Sequence, residues 1–207
     1  MNNFISLFAI VFCGTAASWY GLLVVGADRL GSGNLKTSLV VDGNDVEISA
    51  TEGLVAPGLQ VYRELGCVAC HTQQVRRPGY GGDLDRDWGG RQSVARDYVL
   101  QTEVMLGNRR IGPDLSNVGA RRDAEWLYDH LYNAAVHGSA TTMPSYPFLF
   151  REKEFSGTSA AKALNLEGNA TPDEGVEVVP TAKAIALVAY LQSLNLDYDL
   201  PESKRVK

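Results

Sequence analysis

Between Phe4 and Val25 the chain runs for 22 residues without a charged side chain, FISLFAIVFCGTAASWYGLLVV. As an α-helix this stretch reaches about 33 Å, against roughly 30 Å for the hydrocarbon core of a bilayer. Trp19 and Tyr20 lie toward one end of the run, where aromatic rings favour the membrane–water interface. Cys13 to Ser18 is a stretch of small residues that lets a neighbouring helix approach closely. A cleaved secretory leader is the competing reading. The residues ahead of the run, Met1-Asn2-Asn3, carry no Lys or Arg, and the run is longer than the apolar core of such a leader. Residues 1–27 are therefore read as a retained, single-pass anchor in contact with membrane lipid. The flank has too few basic residues to fix its orientation.

The remainder is ordinary for a folded domain: the chain of 207 residues is 45% apolar and 21% charged. A net charge of −5 gives no reason to expect a nucleic-acid partner. Residues 28–55 read as a linker with a small β-hairpin, two short apolar runs meeting at Asp42-Gly43-Asn44. A main domain spans 56–200, with a tail over 201–207. The patterning predicts helices over Ala56–Leu65, with Pro57 at the first position and Gly66 as the stop, over Ser93–Leu106, over Asp123–Val136 with Asp123 as the cap, and over Thr181–Leu194. A short helix over Ser159–Leu166 is also expected. Arg76–Gly90 and Gly138–Phe150 read as loops, and Ala170–Val179 as an acidic surface loop. Ala182, Ala186 and Ala189 offer a low-relief face for a close crossing with the helix before Gly66. The fold class is mainly α.

Chemistry concentrates in Cys67-Val68-Ala69-Cys70-His71. Two thiols three positions apart, followed at once by an imidazole, match covalent attachment of one haem c: Cys67 and Cys70 each join a vinyl group, and His71 ligates the iron. A zinc site would need a second pair of ligands at suitable spacing, and a thioredoxin-like dithiol would need a βαβ context. Neither is present. Haem of this kind is attached on the outer side of the energy-transducing membrane. The domain is thus expected on the periplasmic face of a bacterial inner membrane. A carrier of electrons needs a sixth iron ligand, and Met105, Met143, His130 and His137 are the candidates. Met143 is favoured, because the helix-breaking loop Thr141-Thr142-Met143-Pro144-Ser145-Tyr146-Pro147 can hold a thioether over a haem face, and such Met/His ligation raises the potential. Met105 reads as core packing.

Gly112-Pro113-Asp114-Leu115 supplies a second element. An axial histidine gives its other N–H to an outer acceptor, and the Pro113 carbonyl suits that role. From Arg76 to Arg122 there are nine Arg and no Lys against six acidic residues. Arg76, Arg77, Arg109 and Arg110 are candidates for haem propionates or partner carboxylates.

The chain resembles the mono-haem subunit II (CcoO or FixO) of the cbb-type haem–copper oxidases. The likeness runs through Gly66-Cys67-Val68-Ala69-Cys70-His71-Thr72-Gln73, Arg77-Pro78, Arg109-Arg110-Ile111-Gly112-Pro113-Asp114-Leu115, His130-Leu131-Tyr132-Asn133, Met143-Pro144-Ser145-Tyr146-Pro147 and Ala189-Tyr190-Leu191-Gln192-Ser193-Leu194. The resemblance implies a class I cytochrome c-like domain with long loops. It implies Met143 as axial ligand, and Arg77, Arg110, Pro113 and Tyr146 in the haem surroundings. The partners implied are a catalytic haem–copper membrane subunit and an electron donor, either a di-haem cytochrome subunit or a soluble cytochrome c. The chain itself would be a non-catalytic relay in aerobic respiration. The small cytochrome subunit of nitric-oxide reductase and a free-standing anchored shuttle are the alternatives.

Overall fold

A computed structural model describes residues 2–30, 35–48, 53–101, 103–138, 140–154, 163–166 and 173–206. The chain is mainly helical and divides into two units, residues 1–48 with 94–99, and residues 49–93 with 100–207.

In the first unit, helix α1 (Asn2–Trp19) passes through a π-turn (Tyr20–Val24) into α2 (Val25–Leu30). Asn3–Arg29 forms 27 residues of apolar helix with none of its most apolar window buried, and it is the one helix among the described residues long and apolar enough to cross a membrane. The Thr15 hydroxyl donates to the Val11 and Phe12 carbonyls at 2.9 and 3.0 Å, so this polar group is satisfied within the helix. The expected hairpin forms from β1 (Ser38–Val41) and β2 (Asn44–Glu47). Asp42 and Gly43 both have positive φ, 52° and 82°, as a two-residue primed turn requires. Asn44 belongs to the strand. Residues 94–99 contribute a single 3₁₀ turn, Ala95–Tyr98, whose Asp97 carboxylate accepts the Val94 N–H at 2.9 Å. The Arg96 guanidinium donates to the Lys36 carbonyl at 2.7 Å.

The second unit is built on α3 (Val55–Glu64), α4 (Val118–Arg121), α5 (Ala124–Tyr132) and α6 (Ala182–Ser193). Its core joins Val61, Tyr62, Met105, Leu127, Leu131, Leu149, Leu187 and Leu191, among others. Helix α6 crosses α3 at Gly58 and Ala186, as the small residues predict. Pro57 stands in the first turn of α3, two residues later than expected. The Asp123 carboxylate caps α5 by accepting the Trp126 N–H at 2.9 Å. That helix ends at Tyr132, because Asn133 leaves helical geometry and its side chain accepts the Ala135 N–H at 3.1 Å, opening a 3₁₀ turn over Ala134–His137.

Three expectations are corrected. The described residues of Ser93–Leu106 form no α-helix; beyond the one 3₁₀ turn they are turn or irregular, and the Leu106 carbonyl is occupied by the Gln73 N–H at 3.0 Å. Residues 176–179 are not loop but part of β4 (Val176–Pro180), which pairs antiparallel with β3 (Phe150–Glu154) in the register Phe150↔Pro180 to Glu154↔Val176. Within the predicted helix Ser159–Leu166, residues 163–166 are non-helical, with Leu164 donating to the Val178 carbonyl at 2.9 Å; residues 159–162 lie outside the described set. Past α6 the chain returns over the Arg76–Gly90 loop. Buried Arg91 donates to the Tyr198 carbonyl at 2.7 Å, the Ser203 hydroxyl to the Gln92 carbonyl at 3.0 Å, and the Val206 N–H to the Gly90 carbonyl at 2.8 Å.

Candidate functional site

Helix α3 stops at Gly66, which takes φ 69° and thereby turns the chain into a 3₁₀ turn over Cys67–Ala69. The Cys70 and His71 N–H groups both return to the Cys67 carbonyl, at 3.1 and 2.9 Å. One tight turn thus presents two free thiols and an imidazole together. Burial pushes the Cys67 thiol up to about 11; a hydrogen bond with its own backbone works the other way, and Cys70 adds to the rise. Redox dithiols work through a thiol with a depressed pKa, and Cys67 is shifted the other way.

His71 Nδ1 lies 2.7 Å from the Pro113 carbonyl oxygen. A carbonyl only accepts, so Nδ1 carries the proton and Nε2 keeps its lone pair. Burial lowers the pKa of this imidazole, while the Pro113 carbonyl and Asp114 oppose the shift. A neutral ring with its outer N–H engaged is the form that ligates a metal. Gly112 lies flat against the ring: a Cβ there would fall 2.3 Å from His71 Cε1. The Gly112 N–H donates to the Cys70 carbonyl at 3.0 Å, and Gly107, at φ 69°, comes so close to the His71 carbonyl that a Cβ would lie 2.5 Å from it.

The other candidates divide. Tyr146 is held by its N–H to the Leu131 carbonyl at 2.8 Å, and burial, then the nearby Cys67 and Cys70 thiols, raise its hydroxyl pKa. Met143 is half-buried against the core, in a loop where its N–H donates to the Thr141 hydroxyl at 3.2 Å. Met105 is in the core. The Arg110 guanidinium pairs with the buried Asp83 carboxylate at 2.7 Å and also donates to the Gln74 carbonyl. Arg76 pairs with the same Asp83 at 2.9 Å. Arg77 is exposed and lies 3.8 Å over the Tyr80 ring.

Two features escape the sequence reading. Asp83 and Asp114 are fully buried carboxylates that organise the loops around His71. His130 stacks on Trp126 at 4.6 Å between ring centroids, His137 stacks on the same indole at 4.7 Å, and the Arg122 guanidinium lies 4.4 Å from that ring. Burial, followed by His137, His71 and Arg122, holds His130 at about 4, so it is neutral at neutral pH. Its Nδ1 is buried without a hydrogen-bond partner among the described residues.

A family model described as "Cytochrome C oxidase, mono-heme subunit/FixO" matches residues 41–172, more than half of the chain. The chain belongs to this family. It is therefore a mono-haem subunit of cytochrome c oxidase by family. No curated protein matches the chain. The residues fit the haem that membership implies. Two free thiols stand on one turn beside a neutral imidazole, and a glycine leaves the ring uncrowded.

Proposed function

We propose that this chain is a membrane-anchored electron relay in a cbb-type oxidase, passing electrons from a cytochrome donor to the haem–copper catalytic subunit. Cys67 and Cys70 would hold the haem through thioether bonds, each S–H adding across one vinyl group, and His71 Nε2 and Met143 Sδ would hold its iron. The bound group supplies a reversible one-electron couple. The observation that carries this reading is the His71 Nδ1–H donated to Pro113 at 2.7 Å, which leaves Nε2 as the free donor atom on the turn that bears both thiols. Pro113 and Gly112 orient the imidazole, and Tyr146 lies near the thiols. With His71 and Met143 both holding the iron, no position on it would be left open for a substrate, and the subunit would carry electrons without oxygen chemistry of its own. A class I cytochrome c-like arrangement of α3, α5 and α6 fits this role, as does an anchor formed by the apolar helix Asn3–Arg29 with the rest in the periplasm.

Extraction of the denatured holoprotein with acidified acetone tests the attachment. The haem is expected to stay with the polypeptide, and to be lost from a variant carrying Cys67→Ala and Cys70→Ala. Haem leaving the unaltered chain would refute covalent attachment. Metal analysis of the complex purified in mild detergent tests its class: copper with b-type haem is expected, and non-haem iron without copper would point to a nitric-oxide reductase instead.

A further inference from the structure

Residues 72–76 and 110–116 are stitched together by two buried carboxylates and two guanidinium groups. Asp114 Oδ2 accepts the Thr72 hydroxyl at 2.5 Å and the Gln74 N–H at 2.8 Å, and Oδ1 accepts the Ser116 N–H at 2.9 Å. Arg110 approaches Asp114 Oδ2 to 3.7 Å while pairing with Asp83 at 2.7 Å. Asp83 also accepts the Arg76 N–H at 2.8 Å and its guanidinium at 2.9 Å. Thr72 follows His71 directly, and Asp114 follows Pro113 directly. The Thr72–Asp114 hydrogen bond is therefore a second rung beside the His71–Pro113 rung, and the Leu115 N–H donating to the Thr72 carbonyl at 2.8 Å is a third.

We infer that Asp114 is the positioning residue that holds the Pro113 carbonyl on His71 Nδ1 and thereby sets the electron affinity of the iron centre, with Arg110 and Asp83 bracing it. This rests on His71 being the axial ligand. An axial imidazole becomes a stronger electron donor when its outer N–H is firmly hydrogen-bonded, and such bonds weaken steeply with distance and misalignment. Stronger donation favours the oxidised metal. Loosening the second rung therefore raises the reduction potential.

The test uses the full-length, haem-loaded protein in detergent, titrated against redox mediators. Asp114→Asn turns one acceptor into a donor facing donors, but it also removes a charge. Thr72→Val keeps the carboxylate and removes only the hydroxyl, so it is the decisive variant, with Thr72→Ser as the conservative rescue. At a fixed ambient potential, Thr72→Val is expected to raise the reduced-to-oxidised ratio about threefold to tenfold, a tenfold change being about 59 mV for one electron. Thr72→Ser is expected to return it toward the wild-type value. If Asp114→Asn does not accumulate, the two Thr72 variants decide. A potential unchanged in haem-loaded Thr72→Val, with only the unfolding midpoint lowered, overturns the inference and leaves Asp114 structural. Wild-type protein that loses its haem to acidified acetone overturns the underlying ligation reading instead, and this inference with it.

Discussion

The Cβ that Gly58 lacks would fall 2.0 Å from the Ala186 carbonyl oxygen and 2.6 Å from Tyr190 Cβ. The crossing of α3 on α6 therefore depends on the absence of one carbon atom. Glycine inside a helix ordinarily costs about 1 kcal/mol relative to alanine, so Gly→Ala at an uncrowded helical site stabilises. Gly58→Ala should do the opposite, lowering stability by about 1–3 kcal/mol through overpacking against backbone. Urea unfolding followed by tryptophan fluorescence reads the sign directly, and a stabilised variant would contradict the crossing.

Gly112→Ala places a methyl group 2.3 Å from His71 Cε1, where the ring is pinned by Pro113 and cannot withdraw without releasing Nδ1. Haem content per polypeptide should fall sharply, measured as the pyridine haemochrome. Full loading with an unaltered spectrum would show that His71 is not held as described.

The two loop and core methionines should separate cleanly. Met105→Ala removes a buried core side chain and is expected to cost about 2–5 kcal/mol while leaving the oxidised spectrum intact. Met143→Ala, in the half-buried loop, should abolish the far-red band of a methionine–iron bond with a smaller loss of stability. If the band survives Met143→Ala, His130 or His137 becomes the ligand to test.

Asp83 supplies the pH prediction. Burial alone would raise its pKa, but hydrogen bonds from the Arg76 side chain and backbone, together with the charge of Arg110, outweigh burial and hold it below the usual carboxylate range. A carboxyl depressed on folding contributes stability above its unfolded pKa of about 3.9 and loses that contribution as pH falls through the folded value. Asp83→Asn should therefore be less stable than wild type at pH 7 by about 2 kcal/mol or more, with the gap narrowing toward the acid limb. Urea midpoints of both proteins across that range give the comparison. A gap that widens on acidification would reverse the sign.

How far the sequence speaks varies along the chain for physical reasons. Helices α3 and α6, the cap at Asp123 and the hairpin at Asp42-Gly43 are each encoded within a few neighbouring residues, and they are legible. The turn bearing Cys67, Cys70 and His71 is equally local; the Pro113 carbonyl, 42 positions from His71, is legible only because an axial imidazole needs an acceptor. Strand β3 is not legible, because Phe150-Arg-Glu-Lys-Glu154 exposes all but its first residue and finds its partner only at Val176–Pro180. Leu106 misleads in a similar way: its neighbourhood has helical spacing, yet its carbonyl is committed to Gln73. Asp83 looks like any acidic residue in a charged loop until Arg110, 27 positions away, arrives beside it.

The hydrogen bond from Arg91 to Tyr198 spans 107 positions, and that from Ser203 to Gln92 spans 111. Contacts of such separation form late, since their loop closure is costly until the intervening chain has folded. The strap of residues 196–206 therefore latches onto Gly90–Gln92 only after the chain between them has folded, so the turn bearing Cys67 and Cys70 is complete before the C-terminal segment closes over its neighbours.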